Sequence, residues 1–436
     1  MTTAVATAGF TQDAFDQFVS SRDEPAWLRD VRAAAWRDFL AAPMPGPREE
    51  EWMRTDIRLF RLDKFGLPLE RPRDANLPDS VLTQGVELGG QATTLDSHSA
   101  ASHLEKKLAS QGVLFGSLDA LVAEHGDLIK PYLFHAVNPQ ADKFSLLHAA
   151  AWSGGTLLYV PRGVRIEQPL HMLTALSAGS TDLSHTLVIL EDGAEATLLA
   201  ETASTGEADP GLHCGAIELI VGSGARLRYV NLQNWSTHVW HFAHQKALVG
   251  RDASLQWTIA ALGSRLSKVN QHVGLVGEGA NCQVNGVLFT EGKQHLSYNT
   301  LQHHEAPHCS SDLLYKGALQ DASRLVWRGM IKVDQGAQKT NGYQRNDNLM
   351  LSDHARSDSI PGLEILADDV RCTHGSTTGR VDDEQVFYAR CRGLTRKEAI
   401  RMIVAGFFQQ VFDRITIESV REALGQAIGR RIREYE

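Results

Sequence analysis

The sequence predicts a mainly β protein whose core is a β-solenoid, with helical regions on either side of it. Short β-branched runs recur from about residue 145, each followed by Gly or Asp and a small residue. The small residues Ala194, Ala225, Ala253 and Ala280 recur at nearly even intervals. No amphipathic helix of about 10 to 15 residues separates the runs, which disfavours a doubly wound α/β fold. Helical periodicity is confined to the two ends of the chain.

The loose repeat of about 28 residues indicates a solenoid because each coil stacks on its neighbours and tight corners exclude bulky side chains. Similar corners end at Val164 before this series and at Ala322 and Ala337 after it. Ala322 falls outside the regular spacing, but Ala280 and Ala337 lie two repeats apart. On pattern alone, an antiparallel β-sandwich remains the alternative.

Residues 1–140 are expected to form an N-terminal helical and mixed region. Thr11 can cap one helix and Pro25 can open a second. Residues from about 61 to 100 are rich in Pro, Gly and polar side chains and show little periodicity. The β-solenoid is predicted to occupy residues 141–379.

Residues 380–436 are predicted to form a C-terminal helical domain. Thr395 and Glu398 have the spacing of a capping box. Two apolar stripes follow, one of Ala399, Ile403, Phe407 and Val411 and the other of Ile417, Val420, Leu424 and Ile428. Such helices either pack on the body of their own chain or dock a partner, and the stripes alone do not decide between the two.

The composition is that of a folded globular protein. The 436 residues suffice for two to four domains or for one long solenoid with appendages. Hydrophobic residues make up 43% and charged residues 22%, which excludes a largely disordered chain or a collagen-like fibre. The formal net charge of −9 argues against nucleic acid or an anionic membrane as the main partner.

The cysteines favour a cytoplasmic location with reduced thiols. There are five of them, at positions 214, 282, 309, 372 and 391, and they are too far apart in sequence for a CxxC zinc or ferredoxin motif. The first residues lack the pattern of a secretory signal or an Arg-rich transit peptide. No apolar run approaches about 18 residues, so a membrane span is not expected.

The common catalytic motifs are missing from the sequence. There is no GxxxxGK[ST], no GxGxxG after a strand, no GxSxG and no HExxH. The chain is therefore not expected to bind a nucleotide through a P-loop, and we predict that it is not an enzyme.

Two clusters of potential metal ligands remain. The first is His303, His304, Glu305, His308 and Cys309, whose spacing matches no standard site. The turn expected at Pro307 leaves the geometry of this cluster open. A structural or solvated role is therefore favoured over a metal site.

The second cluster is Cys372 and His374, which follow an apolar run. In a strand these residues share a face, with Cα atoms about 6.6 Å apart, so that a thiolate and an imidazole could address one metal or cluster. Two ligands are too few for a closed site, which normally takes about four. The pair is therefore either ordinary packing or half of a site that is completed across an interface.

The segment Gly336–Gly393 strongly resembles the SufB/SufD family of iron-sulfur cluster assembly scaffolds. Within it, LEILADDVRCTHG and DDEQVFYARCRGL resemble the SufD branch, as does HHEAPHCSSD further upstream. The motif RYVNLQNWS at Arg228–Ser236 is similar to the family as a whole, and EEEWMRTDI extends the resemblance to nearly the whole chain.

The resemblance implies a right-handed parallel β-helix flanked by N-terminal and C-terminal helical regions. It also implies a complex in which SufD pairs with SufB through the β-helix, and in which the C-terminal helices bind the ATPase SufC. A homodimer is the expected substitute when SufB is missing. The cofactor implied is a transient iron-sulfur cluster shared with SufB, with His374 at the contact and Cys372 as a secondary or structural ligand.

The SufB branch carries a sulfur-accepting cysteine roughly thirty residues before its QNW motif. An ungapped count back from Gln233 reaches Thr202 in this chain, which supports the SufD branch, although a gap near Cys214 would blur the comparison.

Two other functions compete with a scaffold. A carbohydrate-cleaving β-helix would need an acidic cluster on one face and usually a secretory signal, and neither is visible. A metal-binding β-solenoid protein using the His303 to Cys309 cluster is the nearer alternative, and stoichiometric metal in the isolated chain would favour it.

Overall fold

The computed structural model describes residues 9–72, 77–206 and 209–432. Within them the protein is mainly β, and its core is a parallel β-solenoid built from two ten-stranded sheets. Helices lie before and after this core in the chain. The predicted fold class is therefore confirmed, and the antiparallel sandwich is excluded.

The elements that precede the regular solenoid are helices and short strands. They are α1 Gln12–Ser20, α2 Ala26–Ala41, a 3-10 turn Leu62–Lys64, β1 Gly90–Leu95, β2 His98–Leu104, α3 Lys106–Ser110, β3 Leu114–Ser117, α4 Leu118–Ile129 and α5 Lys143–Ala151. Thr11 caps α1 by accepting a hydrogen bond from the Ala14 amide, as the sequence predicted.

The solenoid strands and the C-terminal helices follow. They are β4 Gly155–Val160, β5 Leu170–Leu176, β6 Thr181–Asp182, β7 His185–Leu190, β8 Glu195–Ser204, β9 Leu212–Val221, β10 Arg226–Asn234, β11 Trp240–Val249, β12 Ser254–Ala261, β13 Leu266–Leu275, β14 Asn281–Thr290, β15 His295–His304, β16 Ser310–Leu319, β17 Arg324–Val333, β18 Asn341–Met350, β19 Arg356–Ile365, β20 Arg371–Arg380, α6 Asp383–Cys391, α7 Arg396–Phe412 and α8 Glu418–Arg431. Among the described residues, none of these helices is both long and apolar enough to cross a membrane.

From β7 onward, successive strands alternate between the two sheets. The even-numbered strands β8 to β20 form one sheet with β5, and the odd-numbered strands β7 to β19 form the other with β4. Arg226 pairs in parallel with Glu195 on one side and with Ser254 on the other. Neighbouring strands of one sheet are therefore one full turn of the solenoid apart.

One corner of the solenoid is a column of stacked small side chains, which we call the corner column. Its members directly precede residues that pair with one another in register, and they are Val164, Ala194, Ala225, Ala253, Ala280 and Cys309. Ala194, Ala225, Ala253, Ala280 and Cys309 are all buried. A tight corner leaves no room for a larger side chain, which explains the repeat seen in the sequence.

The irregular position of Ala322 in the repeat also has a structural cause. Ala322 lies between β16 and β17, at the opposite corner from the column, whereas Ala337 lies between β17 and β18 on the column side. The column position in the turn between Ala280 and Ala337 is held by Cys309, which is not an alanine and therefore escaped the pattern. In register, the next position is Thr340, three residues after Ala337.

The two helical regions cover opposite outer faces of the solenoid. The N-terminal region packs on the odd-numbered sheet, where the ring of Phe144 in α5 stacks on that of Phe242 at 3.7 Å. The C-terminal region packs on the even-numbered sheet, where Val404 and Phe408 of α7 join a cluster with Leu314 and Ala318 of β16. Each sheet thus has one face in the interior of the solenoid and one against helices.

The predicted stripe on α7 needs a correction. The buried positions are Ala399, Ile400, Val404, Phe408, Val411 and Phe412, whereas Ile403 and Phe407 are only partly buried at the edge. Steps of four residues advance by about 40° more than a full turn each time, so the predicted series drifts off one face. On α8 the prediction is better, because Val420, Leu424 and Ile428 are buried.

The two ends of the solenoid differ. At the first end, β2 pairs antiparallel with β1 and β3 with β4, and Leu108 and Phe115 fill the interior. At the other end, β19 and β20 are the last strands of their sheets. We call β19 and β20 together the open end, because every residue of these strands is exposed or half-buried.

Candidate functional site

The candidate site lies at the open end, where both predicted ligands are found. Cys372 pairs in register with Gly342 of β18, and His374 pairs with Gln344. The Gln344 side chain donates to the carbonyl oxygens of Gly329 and Gly362 on the opposite sheet, at 3.4 and 2.9 Å, so this register position faces the interior. Because residues two apart share a face of a strand, Cys372 and His374 both face inward at the rim of the last coil.

Cys372 is half-buried because the coil below it supplies an apolar wall. Its side chain packs against the cluster of Ile331, Val333, Ala337 and Ala367. A Cβ on Gly342 would lie 3.2 Å from the Cys372 sulfur, so glycine leaves the thiol its space. Burial raises the pKa of the Cys372 thiol. A neutral thiol is a poor ligand, and a neighbouring metal or cation is needed to make it a thiolate.

His374 has the opposite environment. It is exposed, and within the part of the chain that the structure describes its side chain forms no hydrogen bond or ion pair. A free imidazole is a suitable ligand for iron or zinc. No group of three or more Cys, His, Asp or Glu residues that could hold a metal ion occurs among the described residues. The pair at the open end is therefore an incomplete ligand set.

The rest of the open end mixes apolar side chains with ion pairs. Leu363, Ile365 and Leu366 are exposed by 37%, 39% and 57% of their surface. Exposed ion pairs join Lys339 to Asp369 and Arg380 to Asp353 in the loops around the last coil. An unpaired strand edge with exposed apolar residues and a charged rim has the composition of a protein–protein contact surface.

The cluster from His303 to Cys309 is dispersed by the fold. His303 contacts Glu305 and Asp334 on the outer surface, at 3.2 and 3.0 Å. His304 lies fully buried with its Nε2 2.8 Å from the Ser311 hydroxyl, and burial lowers its pKa to about 4. The side chains therefore diverge.

The last two members of that cluster serve the turn between β15 and β16. His308 is exposed and has a φ of 60°, in the left-handed region. Cys309 belongs to the corner column, and its thiol donates to the Gly277 carbonyl oxygen at 3.2 Å. Its pKa is raised by burial. The structural interpretation of this motif is thus favoured, because its side chains do not converge on one point.

Thr202 and Cys214 occupy different sheets. Thr202 of β8 pairs in register with Gln233 of β10, one turn away, so the ungapped count follows the solenoid repeat. Cys214 lies on β9, fully buried, with its thiol 3.2 Å from the Phe144 carbonyl oxygen. Burial raises the pKa of Cys214 well above its usual value. Cys214 therefore does not take the place of Thr202.

A second candidate surface lies on the C-terminal helices, where the sequence predicts docking through the apolar stripes of α7 and α8 but gives no role to α6. Phe387 and Tyr388 of α6 and Met402 of α7 are exposed by 68%, 62% and 54% of their surface. The buried side chains of α7 and α8 belong to the core, whereas these three residues face away from it. The signal was available in the adjacent aromatic pair Phe387 and Tyr388, since one helical face cannot bury both.

Known protein families match the chain along almost its whole length. A family model described as the SufBD core domain of the SUF system for FeS cluster assembly matches residues 172–407. A second model, described as the SufBD protein N-terminal region, matches residues 13–172.

Curated relatives agree with the family models. An iron-sulfur cluster assembly SufBD family protein of Staphylococcus saprophyticus is 28% identical over 424 residues, which are 94% of this chain and 90% of the relative. A protein of the same description from Staphylococcus haemolyticus is 27% identical over 426 residues, with the same coverage.

Proposed function

The chain belongs to the SufBD family of iron-sulfur cluster assembly proteins, and from this premise we propose that it is the SufD-type scaffold subunit of a cluster assembly complex. It would act in the cytoplasm without binding a nucleotide itself. The observation that carries the proposal is the Cys372 and His374 pair at the open end. The threonine at position 202 is consistent with the SufD branch.

The incomplete ligand set suits an assembly site. A nascent iron-sulfur cluster is the cargo of such a site and has to leave it. A cluster held by two ligands from one subunit dissociates more easily than one held by a closed set of about four. The His374 imidazole would bind the nascent cluster as a neutral ligand. Cys372 would be a secondary ligand, because its half-buried thiol has to lose its proton first.

We propose that the partner SufB completes this site by pairing with the open end. The unpaired backbone groups of β19 and β20 can extend their sheets into a neighbouring solenoid. The exposed Leu363, Ile365 and Leu366 would supply buried apolar area to the contact. In the absence of SufB, a second copy of the chain would take its place.

We also propose that the ATPase SufC docks on α6 and α7. The chain lacks a P-loop, so an ATP-driven assembly cycle requires a surface through which a separate ATPase acts on it. Phe387 and Tyr388 are adjacent exposed aromatic residues of the kind that anchor protein–protein contacts.

The test of the proposed function is His374→Ala in a cell that depends on this complex. Because the imidazole is exposed and without a partner among the described residues, the variant should fold, assemble with SufB and SufC, and retain ATPase activity. Cluster formation should fall at least about tenfold, because even the loss of a residue that only orients a metal ligand typically costs about 10- to 100-fold. Cys372→Ala should have a smaller effect and cost about 1 to 3 kcal/mol of stability.

The matched control is His354→Ala, which removes another exposed histidine from the turn before β19. It should leave both assembly and cluster formation unchanged. If His374→Ala supports normal cluster formation at normal complex yield, the ligand role of His374 is wrong. If the three proteins do not co-purify at all, the proposal of a SufD-type subunit fails as a whole.

A further inference from the structure

A buried chain of hydrogen bonds joins the N-terminal region to the first turns of the solenoid. Glu218 of β9 is fully buried, and its carboxylate accepts hydrogen bonds from three backbone amides of the loop between α4 and α5. The donors are the amides of Phe134, Ala136 and Val137, at 2.6, 2.6 and 3.0 Å. Phe134 has a φ of 58°, a left-handed conformation that is rare for a bulky residue and is held here by these bonds.

Two histidines extend the chain from Glu218 back into α5. The Nε2 atom of His185 lies 3.1 Å from Glu218 Oε1, and its Nδ1 lies 3.0 Å from Nε2 of His148. The Nδ1 atom of His148 lies 3.0 Å from the carbonyl oxygen of Cys214. Both histidines are buried, with His185 at 0% and His148 at 3% exposure.

The protons of this chain can be counted. A carbonyl oxygen at one end and a carboxylate at the other can only accept, so each of the three gaps needs a proton from an imidazole nitrogen. Two neutral imidazoles supply two protons, and the chain needs three. We infer that His148 and His185 hold three ring protons between them at neutral pH, so that the pair carries one positive charge, buried against the Glu218 carboxylate.

The surroundings favour the histidine pair over Glu218 as the place of the third proton. Three amide donors stabilise the ionised carboxylate and disfavour its protonation. Within the pair, the contact of His185 with the Glu218 carboxylate places the charge on His185, and burial, which holds the pKa of His148 well below its usual value, agrees with this placement.

The titratable groups around the pair are already paired or neutral. His213 is paired with Asp182 at 2.8 Å, and His244 lies 3.3 Å from Asp142. Burial raises the pKa of the Cys214 thiol, so that thiol is neutral. These groups therefore leave Glu218 as the counter-charge of the histidine pair.

The extra proton has a mechanical consequence. The Glu218 carboxylate that binds the loop at residues 134–137 to β9 would be strongly destabilising without a counter-charge, and the protonated histidine pair supplies that charge. Without the proton, one gap of the chain would place two lone pairs face to face. The histidine pair and Glu218 therefore form a proton-dependent clip between the N-terminal region and the solenoid.

Neutron diffraction on a deuterium-exchanged crystal of the full chain at neutral pH tests the proton count directly. We expect three deuterons in the chain, with two on the ring of His185 and one on Nδ1 of His148. A deuteron on Glu218 Oε1 in place of that on His185 Nε2, or only two deuterons in the three gaps, would overturn the inference.

Hydrogen exchange tests the clip in solution. In Glu218→Gln and in His185→Gln, the amides of Phe134, Ala136 and Val137 should exchange at least about tenfold faster than in the parent. The matched control is His241→Gln, which alters a buried histidine of β11 outside this chain of bonds, and it should leave these amides protected. Unchanged protection in Glu218→Gln would show that the loop is held without the charge.

Discussion

Cys309 has the chemistry of a metal ligand, but in the structure it is a packing residue. It stands in the corner column, where four of the other members, Ala194, Ala225, Ala253 and Ala280, are alanines. The thiol fills the space of a small side chain and reaches a carbonyl oxygen in the previous turn. Its position in the column, rather than its neighbours in sequence, therefore accounts for it.

Cys309→Ala should be tolerated. The substitution restores the residue found elsewhere in the column and should cost about 1 kcal/mol or less, whereas Cys309→Leu should cost about 1 to 3 kcal/mol by overpacking the corner. Chemical denaturation of the two variants measures the difference. A Cys309→Ala protein that folds normally but loses tightly bound metal would restore the metal-binding alternative.

Lys268 gives the protein a specific pH dependence. The residue is 2% exposed, and its ammonium group donates to the Glu51 carbonyl oxygen at 2.8 Å. Burial lowers its pKa from the usual 10.5 to about 8. The folded state therefore binds this proton less tightly than the unfolded state, and the lysine costs stability at neutral pH.

This cost should disappear as the pH rises from about 8 towards 10, because the folded protein then no longer has to bury a charge. Lys268→Met should be more stable than the parent at pH 7, and the gap should narrow by pH 9.5. Thermal unfolding of both proteins across this range measures the gap. A gap that stays constant with pH would mean that the ammonium group is not desolvated in the fold.

At the scale of single elements, α6 and α7 separate core from surface more sharply than their sequences suggest. Phe408 is fully buried, whereas its neighbour Phe407 is partly buried, with the ammonium group of Lys316 over its ring at 4.8 Å. The core side of these helices stabilises the protein, and the opposite side, with Phe387 and Tyr388, is free to contact a partner.

Replacing Phe387 and Tyr388 together by Ser should weaken binding of the ATPase subunit at least about a hundredfold, because two exposed aromatic anchors are lost. The melting temperature should change little, since neither side chain is buried. Leu59→Ser is the matched control, because Leu59 is exposed by 74% in the N-terminal region. Equal affinity for the double variant and the parent would remove α6 from the contact.

The elements show what a sequence can predict and what it cannot. The solenoid was predictable because its turns stack along one axis. Small residues that recur at a fixed spacing in the sequence therefore lie next to one another in the structure. The position of Cys372 and His374 on the same face of a strand was predictable from strand geometry alone. The buried stripe of α7 was not, because the face of a helix that is buried depends on the sheet it meets rather than on its own periodicity.

The buried chain from Glu218 to Cys214 was also beyond the reach of the sequence. His148, His185 and Glu218 lie on three different elements that are far apart along the chain. No local pattern connects them, and only the stacking of successive turns brings them together.

At the scale of the whole molecule, the open end should determine association. Substituting Ile365 and Leu366 by Lys should raise the dissociation constant for the partner scaffold, or for the homodimer, at least about tenfold by placing charge in an apolar contact. Val276→Lys is the control, because Val276 is exposed by 43% but belongs to an inner turn. Sedimentation over a range of concentrations measures both, and equal constants for all three proteins would place the contact elsewhere.

The closed first end of the solenoid has a consequence for polymerisation. Leu108 and Phe115 already fill the interior there. The edge strands at the first end, β2 and β3, run antiparallel to their neighbours. The open end of one copy therefore cannot continue the parallel ladder at the first end of another, which disfavours head-to-tail growth into a fibre. Contact through like ends consumes both edges at once and closes the assembly at two solenoids. If two solenoids meet through their open ends as we propose, both exposed β edges are covered, and the fold itself then limits the assembly to two solenoids.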